Sequence, residues 1–332
     1  MYATSNGTSR YASRYAEYRD AGFYRTIFDL QVSSLGIGTY LGDTSEAADR
    51  AYTQALICAG QSGINFFDTA INYRNQRSER AIGEALKQLQ RDEIVVSTKA
   101  GFLTPGAIPD FLQRDDVVGG MHSMEPRFLG DQIERSLANL GVDTIDVFYL
   151  HNPETQLGYI PRANFEDRLH RAFAQLERLA SQQKIRWYGA ATWDGFRKPR
   201  MLDLARMAAI AAEEGGATHR FRFIQLPFNL AMVEAFTGRP ESVLAQAARL
   251  GVAVVASASL LQSRVLDEMP EQVAPLLPGL ATAAQRAIQF TRSTPGIAVA
   301  LVGMGRPEHV RENLGVALRP PATAEEYLRL YQ

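Results

Sequence analysis

Eight short apolar runs alternate with eight amphipathic stretches along this 332-residue chain. The runs are rich in β-branched and aromatic residues, which favours strands, and the stretches carry apolar residues at helical spacing. The predicted strands are Leu35–Tyr40, Ile64–Phe67, Ile94–Thr98, Ile145–Leu150, Ile185–Gly189, Phe221–Leu226, Val252–Ala256 and Ala298–Val302. The predicted helices are Ser45–Gln61, Ser78–Gln90, Arg127–Leu140, Asn164–Gln183, Pro199–Glu214, Pro240–Leu250, Ala281–Arg292 and Pro307–Ala317. This order predicts an α/β protein with parallel strands joined by helices.

The position of polar residues favours one of two architectures, a closed (β/α)8 TIM barrel or a doubly wound open sheet. Five chemically capable side chains end five different predicted strands: Asp68, Lys99, His151, Gln225 and Ser257. A barrel collects its active site from many strand ends, whereas an open sheet uses one switch point. We therefore expect a single-domain (β/α)8 barrel over 25–320, preceded by a leader over 1–24 and followed by a tail over 321–332.

Composition and charge narrow the class of partner. The formal net charge is −1, so the chain has no global attraction for nucleic acid or acidic membranes. The chain lacks a membrane-length apolar run, and 1–20 lacks the apolar stretch of a secretory signal. Cys58 is the single cysteine, and no Cys/His pair has zinc spacing. These features predict a cytoplasmic protein with a small-molecule partner and no metal, and they leave the oligomeric state open.

Four residues at the predicted barrel rim have the chemistry of an acid-base site. Asp68 ends an apolar strand, Tyr73 lies five residues later, and Lys99 and His151 end the next two strands. A buried lysine needs a partner, which Asp68 supplies if the two strands are neighbours. An ammonium beside Tyr73 is expected to lower its pKa from about 10. The neutral ring of His151 can orient a substrate carbonyl. The alternatives are a turn cap, a structural salt bridge and an ordinary buried histidine.

None of these four side chains is a redox group, so reduction of a carbonyl requires a hydride from a cofactor. The glycine pattern of a Rossmann nucleotide site is absent, because Leu41 follows Gly36-Ile37-Gly38 where a third glycine is expected. The sequence therefore predicts a cofactor held by the barrel itself.

An ordered set of motifs resembles the aldo-keto reductase family, in its divergent bacterial type, from Leu35 to Ala317. The motifs are Gly38-Thr39, Asn65-Phe66-Phe67-Asp68-Thr69-Ala70, Ser78-Glu79, Ser97-Thr98-Lys99, Asp146-Val147-Phe148-Tyr149-Leu150-His151, Ile185-Arg186-Trp187-Tyr188-Gly189 and Glu312-Asn313. The resemblance implies NAD(P)H-dependent reduction of an aldehyde or ketone, with the cofactor extended across the barrel mouth. It also implies that Tyr73 donates the proton, that Asp68 and Lys99 adjust the pKa of Tyr73, and that His151 orients the carbonyl.

The same resemblance implies a set of cofactor contacts. Gly38 and Thr39 would bind the cofactor, Asp43 would lie near the ribose or nicotinamide, Gln225 would contact the nicotinamide amide, and Asn313 would contact the adenine. These positions are expectations that rest on matched motifs.

Three positions depart from the family pattern. Ala191-Thr192 replaces the usual Ser-Asn pair after strand five, which leaves Thr192 as a partial substitute. Ser257 replaces the aromatic residue that stacks on the nicotinamide. Near the phosphate end, Arg306 is the favoured partner for a 2′-phosphate, with His309 a weaker one, so NADPH is expected ahead of NADH.

These departures keep two other functions open. A cofactor-binding sensor or scaffold with little turnover is permitted by the resemblance to potassium-channel β-subunits. A lyase or isomerase using Lys99 as a Schiff-base nucleophile is less favoured, because Asp68 would hold the lysine protonated.

The long segment 101–125 is expected to border the substrate pocket. His122 in that segment is either a pocket residue or a structural one. Phe102, Trp193 and Phe228 are expected to form an apolar pocket wall.

Overall fold

A computed structural model describes residues 1–264, 277 and 279–329 of the chain. In chain order the strands are β1 Tyr24–Ile27, β2 Leu30–Ser33, β3 Leu35–Gly38, β4 Phe66–Asp68, β5 Val95–Ala100, β6 Val117–Val118, β7 His122–Ser123, β8 Ile145–His151, β9 Ile185–Ala191, β10 Phe221–Pro227, β11 Ala253–Ser257 and β12 Ile297–Gly303. The helices are α1 Ser5–Arg14, α2 Ala16–Asp20, α3 Glu46–Gln61, α4 Arg77–Leu86, α5 Pro126–Leu140, α6 Arg162–Ser181, α7 Leu204–Gly215, α8 Glu234–Thr237, α9 Val243–Arg249, α10 Ala283–Ser293, α11 Pro307–Asn313 and α12 Ala324–Leu328.

Eight parallel strands close into a barrel in the order β3-β4-β5-β8-β9-β10-β11-β12, with β12 pairing back to β3. This closure confirms the predicted (β/α)8 TIM barrel and excludes an open sheet. Every predicted strand corresponds to a barrel strand, with ends displaced by two residues at most. The predicted helix from Pro199 was wrong at its start, because the Asp203 side chain caps the amide of Arg206 and α7 begins at Leu204.

A hairpin that the sequence analysis did not predict closes the amino-terminal end of the barrel. Strands β1 and β2 pair antiparallel just before β3 begins. Leu30 and Val32 join the cluster of residues inside the barrel, and Phe28 packs on Trp187 and Phe223 near the starts of β9 and β10. Because apolar residues fill the amino-terminal end, we expect a polar site at the carboxyl-terminal end of the barrel.

The segment predicted as a polar leader folds as helices that pack on the barrel. Thr4 caps α1 by accepting from the amide of Gly7, and the buried Tyr11 donates to the main-chain oxygen of Gly60 at 2.8 Å. A Cβ on Gly7 would lie 2.1 Å from the main-chain oxygen of Asp92, so a glycine lets α1 approach this closely. The division of the chain at residue 24 stays a prediction, and part of the predicted tail, 330–332, lies outside the described residues.

Strands β9 and β10 approach closely at one glycine. A Cβ on Gly189 would lie 1.8 Å from the main-chain oxygen of Phe223.

In the part of the chain that the structure describes, no helix is long and apolar enough to cross a membrane.

Candidate active site

The four predicted catalytic residues meet at the carboxyl-terminal end of the barrel. The Lys99 ammonium donates to Asp68 Oδ2 and to the main-chain oxygen of Thr69, each at 2.7 Å. Lys99 Nζ lies 5.0 Å from the centre of the Tyr73 ring, and that ring centre lies 5.7 Å from the centre of the His151 ring. Neighbouring strands bring three of them together, because Asp68 ends β4, Lys99 belongs to β5 and His151 ends β8.

The Asp68 carboxylate is held by three donors. Its Oδ1 accepts from Ser97 Oγ at 2.7 Å and from Gln225 Nε2 at 2.8 Å, while Oδ2 accepts from Lys99. Ser97 and Lys99 lie two residues apart on one strand, so both point into the barrel. Burial lowers the pKa of Lys99, and the charge and hydrogen bond of Asp68 oppose that effect. The hydrogen bonds of Asp68 and Lys99 hold this buried pair in one geometry.

The expected direction of the Tyr73 pKa was wrong. Burial raises the pKa of Tyr73 well above its usual value, and the charge of Asp68 and the neighbouring Tyr40 raise it further. The prediction included the pairing of Lys99 with Asp68 but not the burial of Tyr73 itself, and the Asp68 carboxylate lies 2.7 Å from the ammonium that was expected to lower this pKa. Tyr73 is consequently protonated at neutral pH, which is the state that a proton donor needs.

A row of aromatic rings encloses His151. Ring centres are 4.9 Å apart for Tyr40 and Tyr73, 5.7 Å for Tyr73 and His151, and 5.1 Å for His151 and Phe102. Burial lowers the pKa of His151 far below its usual value, and Lys99 and His122 lower it further. His151 is therefore neutral, and its Nδ1 atom is buried without a hydrogen-bond partner.

A left-handed turn follows Tyr73 directly. Arg74, Asn75 and Gln76 have φ values of 49°, 51° and 69°, which are costly for residues other than glycine. Arg74 secures the turn, because its buried guanidinium donates to the main-chain oxygen of Asp43 at 2.7 Å and forms an ion pair with Asp49. The turn and the loop after β3 are thereby fastened to each other, a connection that the sequence analysis missed.

Several predicted cofactor residues lie close to this site. Gly38 pairs with Asp68 in register, and Thr39 Oγ1 donates to the main-chain oxygen of Asp68 at 3.1 Å. Thr192 is buried after β9 and donates its amide to the main-chain oxygen of Gln225 at 2.8 Å. The Gln225 side chain contacts Asp68, so its predicted contact with a nicotinamide amide stays a prediction.

The remaining predicted cofactor residues lie at the end of β11 and on the segments that follow β3 and β12. Asp43 is exposed, and its carboxylate accepts from the amide of Ser45 at 2.8 Å. Ser257 is half-buried at the end of β11. Beyond β12, Arg306 and His309 are exposed and Asn313 is buried on α11.

Several buried polar atoms at the ends of barrel strands or on the segments that follow them have no hydrogen-bond partner. They are Thr69 Oγ1, Asn72 Oδ1, His151 Nδ1, Thr192 Oγ1 and Asn313 Oδ1. Buried polar groups are normally paired, so these atoms are available to a bound ligand, although other unpaired atoms, such as Tyr149 Oη and Arg292 Nη2, lie in the core.

The predicted pocket wall is wrong at one residue. Phe228 is fully buried and stacks on Phe290, with ring centres 6.1 Å apart and planes 10° apart, so it belongs to the core. Trp193 remains exposed after β9, and Phe102 contacts the ring of His151. His122 is buried rather than open to the pocket.

Glu154 organises the loop that carries Trp193, and the sequence analysis missed it. Its Oε1 atom accepts from the amides of Trp193, Asp194 and Gly195 at 2.8, 3.0 and 3.1 Å. The contact joins two loops that are about 40 residues apart in sequence, so no local pattern announces it.

Comparison with known proteins agrees with this barrel. The model of the aldo/keto reductase family matches residues 34–277, well over half of the chain. The chain belongs to the aldo/keto reductase family.

Individual aldo/keto reductase relatives differ in what their names describe. The chain is 26% identical over 318 residues to a "Putative voltage-gated potassium channel subunit beta" of Schizosaccharomyces pombe, covering 86% of this chain and 84% of the relative. It is 30% identical over 193 residues to the NADH-specific methylglyoxal reductase of Escherichia coli, covering 56% of each. A crystal structure of an aldo/keto reductase from Klebsiella pneumoniae with NADP and acetate matches with a TM-score of 0.67 at 21% identity, covering 92% of this chain and 94% of the other. At that identity, the likeness concerns the fold.

Proposed function

We propose that this chain reduces an aldehyde or ketone to the alcohol, with NADPH as cofactor and Tyr73 as the proton donor. The observation that carries the proposal is the contact of protonated Tyr73 with both the neutral His151 ring and the Lys99–Asp68 pair. Family membership supports the class of reaction. NADP in the similar Klebsiella pneumoniae structure supports the cofactor, and the Escherichia coli relative keeps NADH as the alternative.

Each side chain has a separate task in this reaction. A ring nitrogen of neutral His151 donates to the substrate oxygen and orients the carbonyl. NADPH, when bound, supplies the hydride that reduces the carbonyl carbon. Tyr73 gives its proton to the oxygen as negative charge develops there. The resulting tyrosinate lies beside the Lys99–Asp68 pair, with Lys99 Nζ 5.0 Å from the centre of its ring, and regains a proton from solvent.

The residues at the rim fit a nicotinamide cofactor chemically. Thr192 Oγ1 and Asn313 Oδ1 are buried and unpaired, so a carboxamide and an adenine would give them partners. Arg306 is exposed and carries the charge that suits a 2′-phosphate. Gly38, Thr39, Asp43, Gln225, Ser257 and His309 complete the proposed set.

Replacement of Tyr73 by Phe tests the assigned role. Loss of the hydroxyl is expected to lower kcat by about 10²- to 10⁴-fold, because the proton must then come from another source. NADPH affinity, measured by fluorescence titration, should stay nearly unchanged. Tyr159→Phe is the matched control, since Tyr159 is 55% exposed. Full turnover by Tyr73→Phe in an NADPH-oxidation assay would reject the role, and absence of any NADPH or NADH binding would reject the reaction.

A cofactor-binding sensor or scaffold is the second candidate. The alignment with the Schizosaccharomyces pombe relative over 86% of this chain favours it. The half-buried Ser257, which offers no aromatic surface for stacking, also favours it. Tight NADPH binding without turnover of any member of a carbonyl panel would support this candidate over the reductase.

A further inference from the structure

His122 uses both of its ring nitrogens inside the protein. Its Nε2 atom lies 2.8 Å from the main-chain oxygen of His151, and its Nδ1 atom lies 2.9 Å from Gln156 Nε2. A carbonyl oxygen only accepts, and an amide nitrogen only donates, so Nε2 carries the hydrogen and Nδ1 is the acceptor. Burial lowers the pKa of His122 to about 4, which keeps the ring neutral.

The chain of hydrogen bonds continues away from the site. Gln156 Oε1 accepts from Arg168 Nη1 at 2.7 Å, and Arg168 Nη2 donates to the main-chain oxygen of Asp115 at 2.8 Å. Arg168 belongs to α6, and Asp115 belongs to the long segment 101–125. The peptide of His151 is therefore joined to both an outer helix and this segment.

Gly101 leaves the space that this connection occupies. A Cβ at Gly101 would lie 2.6 Å from His122 Nε2 and 2.7 Å from the main-chain oxygen of His151. The adjacent Phe102 ring makes edge contacts with both histidine rings, with centres 5.1 Å apart in each case. Segment 101–125 thus contacts His151 at its main chain through His122 and at its ring through Phe102.

We propose that His122 is a positioning residue that fixes the orientation of His151 and couples it to segment 101–125. The bond from His122 holds the last peptide of β8, from which the His151 ring projects towards Tyr73. A change in the conformation of segment 101–125 therefore changes the angle at which a substrate carbonyl is held. The catalytic part of this proposal rests on the proposed function, in which His151 orients the carbonyl.

Three variants separate the hydrogen bond from the bulk of the side chain. His122→Leu removes the bond, Gly101→Ala obstructs it while His122 remains, and His122→Gln keeps a side-chain N–H that can reach the carbonyl. Misplacement of a substrate-orienting group costs up to about 100-fold in rate, so we expect kcat to fall by about 10- to 100-fold in the first two variants. His122→Gln should recover most of that loss, and the NADPH Kd should not change in any of them. His219→Leu is the control, because His219 precedes β10 at the opposite end of the barrel.

The ring resonances of His151 in NMR spectra give a readout that does not depend on turnover. They are assigned by their disappearance in His151→Gln, and we expect His122→Leu and Gly101→Ala to shift them while His219→Leu does not. Shifted resonances in a protein that reduces no carbonyl would refute the proposed function and leave the positioning role intact. A folded His122→Leu with unchanged His151 resonances and kcat would overturn the positioning role. If His122→Leu does not fold, the His151 resonances and kcat of Gly101→Ala test the positioning role instead.

Discussion

The buried ion pair between Lys99 and Asp68 is the part of the site whose energetic contribution follows most directly from its geometry. Their side chains are 1% and 6% exposed, and their charged atoms are 2.7 Å apart. We consider Lys99→Met, which removes the ammonium, Asp68→Asn, which removes the carboxylate charge, and the double variant. Each single variant leaves one buried charge without its partner, whereas the double variant leaves none.

Breaking a buried pair from one side costs about 3–5 kcal/mol, because the remaining charge is desolvated without compensation. In Lys99→Met the carboxylate keeps its bonds from Ser97 and Gln225, which places the cost near the lower end. For 332 residues the entropy of unfolding is about 0.7 kcal/mol per kelvin, so Tm should fall by about 4–7 °C. The double variant should cost at least about 2 kcal/mol less than the sum of the single variants.

Urea denaturation followed by circular dichroism measures these free energies of unfolding. The matched control is Lys87→Met, because Lys87 pairs with Glu84 on the surface, with exposures of 68% and 59%. Exposed pairs contribute about 0–1 kcal/mol, so this variant should differ little from wild type. Additive effects of the two buried substitutions, or single costs no larger than that of Lys87→Met, would refute the electrostatic account of the pair.

Three further predictions concern other parts of the molecule. The pKa of His122 is about 4 when folded and 6.5 when unfolded, so its contribution to stability is present above pH 6.5 and is lost as the pH falls to about 4. This loss amounts to about 3 kcal/mol, so the fall in the free energy of unfolding between pH 7 and pH 4, measured by urea denaturation, should be smaller by about that amount in His122→Gln. Gly189→Ala should lower the free energy of unfolding by more than about 3 kcal/mol, because the new Cβ would meet the carbonyl of Phe223. Gly303→Ala is the control and should be tolerated, since a Cβ there would have nothing within 4 Å. Equal thermal stability of the two variants would contradict this account. Arg306→Ala should weaken NADPH binding by about tenfold or more without affecting NADH, and equal losses for both cofactors in titrations would remove Arg306 from the 2′-phosphate site.

The parts of the site that sequence predicted are those fixed by strand direction. Parallel barrel strands end at one rim, so Asp68, Lys99 and His151 had to meet once the strands were placed. The pKa of Tyr73 was not predictable in this way, because its direction depends on burial and on the distance between Lys99 and Asp68.

No local sequence pattern predicted the contacts between distant loops or the hairpin that closes the amino-terminal end of the barrel. The β1–β2 hairpin has four-residue strands, and a left-handed Phe28 with φ of 55° stands at its turn, where glycine or asparagine would announce a hairpin. Phe228 was placed in the pocket wall because an apolar residue after a strand suits a pocket or a core equally. The stacking of Phe228 on Phe290 shows that it belongs to the core.

The left-handed turn after Tyr73 makes stability and activity compete at adjacent positions. Arg74, Asn75 and Gln76 each hold a backbone conformation that glycine adopts at lower cost, so glycine there relieves strain in the folded chain. Relief of strain also frees the turn that carries the tyrosine, and glycine at 74 would release the loop after β3. A search for stabilised variants of this protein should therefore recover glycine at 75 or 76 as a change that raises Tm and lowers turnover together, whereas glycine at 74 also loses the buried ion pair with Asp49 and should not raise Tm.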